Sequence, residues 1–381
     1  MKISIVTDTF PPEMNGVART LERLVSGLVT RHHTVTVVHP GKQKQSPPAD
    51  CAAEEQYVWG LAVPMYSCLR MGLPRKHSFL REWNEERPDV VYIATESLMG
   101  YSALRAAVRL SIPVVTGYHT HFPKYLRHYA PSLENIAHSY LRHLHNQSEC
   151  TVTPSRDVAF ELHGSGYHNV TVMGRGVDTG LFHPDKRDAL LRQEWNAREG
   201  TIVLLCVGRV AVEKNLPVAF RAYQHLQRRY PDIRCVCVGD GPARESLMKS
   251  YPDVIWPGAK YGGELARYYA SADVFLFPSL TETYGNVLPE AMASGLVPVA
   301  YCYAACAEIV RNGSNGFCAD TNGGDAAFTS TVNQAIARRD DWKVIRATAK
   351  ETAKSLSWDT VIRQFEFILT QAAQCPPQSA Q

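Results

Sequence analysis

One stretch limits the choice of fold more than any other: FPSLTETYGNVLPEAMASGLVPVAY, residues 277–301. It begins at the end of an apolar run, ADVFLFPS, whose length suits a buried strand, and it closes in a second short apolar run, LVPVAY. Between them lies a helix with Leu288, Ala291 and Met292 on one face and a stop at Gly295. Strand, loop, helix and strand in that order make a parallel βαβ unit, and open parallel sheets bind ligands at the carboxyl ends of their strands. The loop at that edge carries Glu282, Tyr284, Gly285, Asn286 and Val287, with Glu290 just inside the helix.

Backbone N–H groups from Gly285 to Leu288 fall at a helix start, where donors lack intrahelical partners and an anion is favoured. A phosphate suits that spot, yet two carboxylates flank it and would repel one. They make sense against hydroxyls, as a carboxylate holds a ribose. A ligand with hydroxyls at both ends and phosphates between them, such as a nucleotide sugar, has the required layout. The same residues also fit a plainer reading, with Glu282 as an N-terminal helix charge and Glu290 as a solvated or capping side chain.

Seven residues separate Glu282 from Glu290, and Ala291, Met292, Ala293, Ser294 and Gly295 follow. This pattern resembles the hallmark of the retaining GT-B glycosyltransferases of glycosyltransferase family four, Glu-x7-Glu followed by Ala-Met-Ala-x-Gly. Tyr284 is a departure, because the family more often has Phe there. The resemblance implies an α/β chain of two Rossmann-like domains facing across a cleft, with the C-terminal helix crossing back to the first domain. The expected boundaries are 1–178 with the crossing helix 358–373, a linker at 179–200, and a nucleotide-sugar domain at 201–357.

Length agrees with two domains, since 381 residues exceed one typical core. Hydrophobic content of 45% and charged content of 20% are those of an ordinary globular protein. A net charge of +3 is too small to argue for nucleic acid, and none is expected as a partner. The ten cysteines lack CxxC spacing; Cys206, Cys235 and Cys237 lie in strand-like runs, and Cys302 and Cys306 lack a completing pair. Free thiols and an N-terminus without a signal-like apolar run lead to an expectation of a cytoplasmic protein, peripheral at the inner membrane face.

In the first half, ISIVT (3–7) reads as a buried strand, and a helix follows with Leu21, Leu24, Val25 and Leu28 in register. The turn between them holds Asn15-Gly16 but not GxGxxG, which disfavours a dinucleotide oxidoreductase. A glycine there admits close approach of a phosphate or sugar, or is a plain turn; the resemblance implies that Gly16 faces the donor. Residues 41–60 read as loop and 63–76 as an irregular surface segment, basic and apolar at once, with Tyr66 and Arg70. PVVT (113–116) is a strand followed by His119 and His121, which fit loop-surface histidines as well as ligands. The resemblance implies that His119 lines the sugar pocket, and it leaves His121 and Glu96 unassigned. Residues 124–147 place Lys124, Tyr125, Arg127 and Arg142 among apolar positions, which suits either a solvated basic helix face or an anionic membrane surface.

In the second half, a strand from Thr201 leads into Gly208, Arg209 and Lys214. Two cations past a strand end suit a diphosphate, with Arg engaging it bidentately and Lys as a point charge, or they form a surface pair. The resemblance implies diphosphate binding by both, stabilisation of the departing diphosphate, sugar hydroxyls on Glu282, ribose on Glu290, and no required metal or other cofactor. The triplet in Arg175-Gly176-Val177-Asp178 resembles a lipid- and mannosyl-transferring subgroup that includes sulfoquinovosyl- and glycosyl-diacylglycerol synthases. The expectation is therefore retaining transfer of a hexose from a UDP- or GDP-sugar to a membrane lipid such as diacylglycerol. A soluble glycan acceptor, an epimerase on the same fold and a non-catalytic sugar-nucleotide sensor are the alternatives.

Overall fold

The computed structural model describes residues 1–13, 15–41, 53–63, 66–120 and 134–374, with strand segments 62–63 and 66–69 described by backbone alone. The chain divides into two compact units: Met1–Arg175 with Trp358–Gln381, and Gly176–Ser357.

The strands of the first unit are β1 (Lys2–Val6), β2 (Thr34–Pro40), β3 (Glu54–Val58), β4 (Gly60–Val63), β5 (Tyr66–Gly72), β6 (Val90–Ile93), β7 (Val114–Gly117), β8 (Cys150–Thr153) and β9 (Val170–Val172). Seven of them form a sheet in the order β3-β2-β1-β6-β7-β8-β9, parallel throughout. Every residue of β6 and β7 is buried, the mark of a parallel sheet covered on both faces. The helix Gly16–Thr30 starts at Asn15, whose Oδ1 accepts the amides of Val17 and Ala18 at 3.1 and 2.9 Å. It buries Leu21, Leu24, Val25 and Leu28. The last helix, Trp358–Gln374, returns to this unit and adds Val361, Phe365, Ile368 and Leu369 to the same cluster, with Phe365 edge-on to Tyr92 at 4.8 Å.

Two sequence expectations fail in this unit. Residues 54–58 are an edge strand paired with β2, not loop; Glu55 is accommodated because its Oε2 accepts the Tyr57 hydroxyl at 2.5 Å and lies 3.1 Å from His39 Nε2. Residues 60–63 and 66–72 pair as the antiparallel strands β4 and β5, not as an irregular segment.

The second unit holds β10 (Ile202–Val207), β11 (Ile233–Val238), β12 (Ile255–Gly258), β13 (Val274–Phe277), β14 (Val297–Tyr301) and β15 (Phe317–Ala319), in the order β12-β11-β10-β13-β14-β15. In each sheet the order of winding reverses once, between β1 and β6 and between β10 and β13. Such reversals open a crevice at the carboxyl ends of the strands. Residues 179–200, expected as linker, belong to this unit and carry the 3-10 turn Pro184–Lys186 and the helix Ala189–Glu194. Their glycines and missing apolar period concealed an electrostatic anchor. Asp273, 6% exposed, meets Arg187 and Arg192 at 3.1 Å each and Arg346 at 3.3 Å. It also accepts the Val203 amide at 3.0 Å.

Burial pushes the Asp273 carboxyl up, but Arg187, Arg346, Arg192 and the Val203 amide together hold it below the ordinary 3.8. With the folded value depressed, its contribution is full above 3.8 and is lost as pH falls through the lowered folded value. Asp273→Ala should cost the second unit about 3–5 kcal/mol in urea unfolding near neutral pH. The gap to wild type should close in acid, below about pH 4; a gap that persists unchanged there would show that the carboxylate's charge is not what matters.

Candidate active site

The loops after β10 and β13 meet at the reversal point of the second sheet. The β10 loop lies backbone to backbone against the loop after β11: the Val210 amide donates to the Asp240 carbonyl at 2.8 Å and the Ala243 amide to the Val210 carbonyl at 3.0 Å. Gly239 (φ +151°) permits this approach, because a Cβ there would lie 1.8 Å from the Gly208 carbonyl oxygen. The 3-10 turn Val212–Lys214 then sends successive side chains apart. Glu213 turns inward, 3% exposed, and pairs with the Arg209 guanidinium. Lys214 reaches across the reversal point and pairs with Glu282. Two more bonds tie the loops: Thr281 Oγ1 donates to the Glu213 carbonyl at 3.0 Å and Asn215 Nδ2 to the Pro278 carbonyl at 3.3 Å.

Beyond Glu282, Tyr284 is buried and its carbonyl accepts the Ala305 amide at 2.9 Å. Gly285 takes φ +95°, and a Cβ there would sit 2.8 Å from the Phe277 ring. The residue is fixed as glycine by conformation and by space. The helix Val287–Ala293 follows, with Asn286 as its N-cap and no side-chain cap bond. At seven residues it is short, so any anion there relies on individual amides more than on a long dipole. Glu290 Oε2 accepts the hydroxyl of buried Tyr269 at 3.0 Å, which fixes the carboxylate's direction. The structure thus brings Arg209, Lys214, Glu282, Gly285, Asn286, Val287 and Glu290 onto adjoining loops of one sheet edge. This array can hold an anion by charge and hydroxyls by carboxylate, and its cations already carry carboxylate partners within the loops.

In the first unit His119 follows β7 and is 6% exposed. Its Nδ1 lies 2.5 Å from Arg175 Nη2 and its Nε2 lies 2.6 Å from the Tyr92 hydroxyl. A guanidinium only donates, so Nδ1 accepts and the ring proton resides on Nε2, which donates to Tyr92. Burial, then the Arg175 charge, then His145 hold the imidazole well below the ordinary 6.5, so the ring is neutral. Gly16 is the first residue of its helix, beside a loop in which Asn15 Nδ2 donates to Thr9 Oγ1 at 2.6 Å and Thr9 Oγ1 to Glu13 Oε2 at 2.5 Å. Glu96 lies 3.3 Å from Nε2 of fully buried His145.

Sequence reasoning missed Arg175, Tyr92 and Tyr269 as partners of the chosen residues. Tyr92 and Tyr269 read as core because they stand in buried runs. Arg175 was visible beside the Gly-Val-Asp triplet, but nothing in the linear pattern linked it to His119. Arg70 is exposed on β5 and Arg142 is exposed on the helix Glu134–His145, where it donates to the Ser165 carbonyl at 3.4 Å. His121, Lys124, Tyr125 and Arg127 lie outside the described residues, as does the side chain of Tyr66. Among the described residues, no group of three His, Cys, Asp or Glu side chains could hold a metal ion, and no helix is long and apolar enough to cross a membrane.

Arg175→Gln should raise the His119 titration toward 6.5 and loosen its tautomer preference. Long-range ¹⁵N–¹H correlation spectra of the imidazole read both; an unchanged Nε2–H signature in the variant would remove Arg175 from the role given to it here.

The sequence model of Glycosyltransferase Family 4 matches residues 14–181, and that of Glycosyl transferases group 1 matches residues 188–352. A GDP-mannose-dependent alpha-mannosyltransferase of Mycolicibacterium smegmatis is 31% identical over 380 residues, covering 97% of this chain and 98% of that protein. An alpha-monoglucosyldiacylglycerol synthase of Acholeplasma laidlawii is 27% identical over 83% of this chain and 84% of its own length. The solved structure of sucrose-phosphate synthase from Thermosynechococcus elongatus superposes with a TM-score of 0.78 at 17% identity, covering 97% of this chain and 98% of that one. The chain belongs to glycosyltransferase family 4: it is a glycosyltransferase that uses nucleotide sugars, built on the GT-B fold of two Rossmann-like units.

Proposed function

We propose that the protein transfers a hexose, with retention of anomeric configuration, from a nucleoside-diphosphate sugar to a membrane lipid such as diacylglycerol. The observation that carries the donor side is the pair of ion pairs Arg209–Glu213 and Lys214–Glu282, set beside Gly285 and Glu290 on one sheet edge. A diphosphate has two charges to offer the same cations and gains bidentate contact with the guanidinium. As the acceptor hydroxyl oxygen bonds to the anomeric carbon, the bond from that carbon to phosphate oxygen breaks, the diphosphate leaves with the electron pair and takes up the hydroxyl proton, and Arg209 and Lys214 stabilise its charge. They supply countercharge that a divalent metal would otherwise supply. Glu282, released from Lys214, holds sugar hydroxyls; Glu290, oriented by Tyr269, holds the ribose. In the first unit, His119 offers a neutral polar group suited to a sugar hydroxyl, and Gly16 leaves room for close approach at its helix start. GDP-mannose is the first donor to try, because a relative that resembles nearly the whole chain is named for it. The lipid acceptor is supported by the name of the diacylglycerol-glycosylating relative, and cytoplasmic, membrane-peripheral placement goes with it.

The decisive assay offers GDP-mannose, UDP-glucose and UDP-galactose, each with and without vesicles containing diacylglycerol, and analyses products by mass and by the anomeric proton coupling. One donor should yield an α-linked glycolipid. Donor cleavage or sugar isomerisation with no lipid product would overturn the acceptor assignment and favour a soluble glycan or an epimerase.

Lys214→Ala should lower kcat by about 10²–10³. Glu290→Ala should weaken nucleotide binding in calorimetry, whereas Glu282→Ala should depress transfer more than binding. Equal, negligible effects of the two glutamate changes would sink the loop assignment.

A further inference from the structure

Three cysteines converge at the edge of the second sheet. Cys302 directly follows β14, Cys306 lies in the helix Ala305–Ile309, and Cys318 is the middle residue of β15. The two strands pair in parallel, and the Cys302 amide donates to the Ala319 carbonyl at 2.9 Å. Side chains alternate along a strand. Phe317 and Ala319 therefore pack on one face of the sheet, and Cys318 packs with Cys306 on the other. There the two sulfurs lie 3.3 Å apart. Cys306 is buried, Cys318 half-buried and Cys302 exposed, so a small reagent reaches the pair through Cys318. A hydrogen bond from the Cys306 thiol, helped by one from Cys302, outweighs burial and holds the Cys318 thiol below its ordinary 9.0. The bond with Cys318, then burial, push Cys306 up. Cys318 is thus the readier thiolate and Cys306 the thiol beside it, as in an attacking and a resolving cysteine.

The pair is coupled to the Glu282–Glu290 loop. Cys306 shares one packed cluster with Tyr284, Leu288, Ala291 and Met292. The Ala305 amide, at the start of the same helix, donates to the Tyr284 carbonyl at 2.9 Å. Ala304, just before that helix, has φ +51°. A Cβ makes that conformation unfavourable, so contacts hold the turn in place. Sulfurs drawn from contact to bonding distance pull directly on that turn.

We propose that Cys306 and Cys318 form a reversible redox switch: a peroxide joins them as a disulfide, and the bond shifts the helix Ala305–Ile309 against the Glu282–Glu290 loop and weakens nucleotide binding. The Cys318 thiolate attacks one peroxide oxygen, the O–O bond breaks, and hydroxide leaves with the electron pair and is protonated to water. Cys306 then attacks the resulting sulfenic sulfur, the S–O bond breaks, and a second water leaves with the Cys306 proton. The two thiols give up two electrons, and one peroxide becomes two waters. The effect on nucleotide binding rests on the donor-loop reading above; formation of the bond does not.

The test treats the reduced full chain with hydrogen peroxide and digests it with trypsin in the absence of reductant. Cleavage after Arg267, Arg311 and Arg338 puts Cys302 and Cys306 in one peptide and Cys318 in the next. Mass spectrometry should find these two peptides joined in wild type and in Cys302→Ser, which assigns the bond to Cys306. Cys306→Ala and Cys318→Ala should not join them. In calorimetry with GDP and with UDP, oxidised wild type should bind about three- to tenfold more weakly than reduced, the worth of one hydrogen bond. Dithiothreitol should restore the affinity, and Cys318→Ala should not respond to peroxide. Thermal unfolding verifies each variant; should Cys306→Ala not fold, Cys302→Ser and Cys318→Ala still assign the bond. Peptides that stay separate in wild type, or that no longer join in Cys302→Ser, overturn the pair. A bond that leaves nucleotide affinity unchanged overturns the switch and leaves the donor-loop reading standing. Reduced protein that binds neither nucleotide removes that reading, and the switch falls with it.

Discussion

A single buried carboxylate holds the second unit in register. Asp273 stands directly before β13 and gathers guanidinium groups from the segment 187–192 and from the helix Trp342–Ser355, while its other contact is the Val203 amide of β10. Its position therefore fixes the two strands between which the winding reverses. Everything at their far ends, including the Arg209 and Glu282 loops, inherits that placement. A charge this deep is tolerated only because three cations and a backbone donor surround it, and removing any one group leaves the others under-compensated.

The loops at the other end of those strands follow the opposite logic. There the charges are paired in twos between neighbouring loop side chains. Arg209 and Lys214 each hold a carboxylate that is part of the same loop system, so the cations are kept in place and are not left to repel one another. In the first unit His119 is arranged differently again. Its two ring nitrogens are both committed, to a donor on one side and an acceptor on the other, and this suits a group that offers fixed polarity more than one that shuttles protons.

Much of this was legible in the chain, for identifiable reasons. The 277–301 stretch announced a parallel unit because a fully buried strand cannot alternate, and its glycines Gly285 and Gly295 stand where the backbone takes positive φ. The closing helix showed its stripe of Val361, Phe365 and Ile368 at helical spacing. What stayed hidden depended on contacts distant in sequence. Glu55 masked an edge strand, because its partners are His39 on the neighbouring strand and Tyr57 two residues along its own. Residues 187–192 looked like linker because their value lies in an aspartate about eighty positions away. The Arg175–His119 pair joins residues with no shared period or motif.

The returning helix has a consequence for how the chain is made. Leu21, Leu24 and Leu28 belong to a cluster that is completed by Phe365 and Leu369, which follow the second unit in the chain. The whole second unit must be synthesised in the interval. At roughly 5–20 residues per second that delay is on the order of ten to forty seconds. During that time the nascent first unit carries an uncovered leucine-rich seam, a ready substrate for chaperones, while the second unit can close around its own core at once. The N-terminal half, though translated first, is thus the half that matures last.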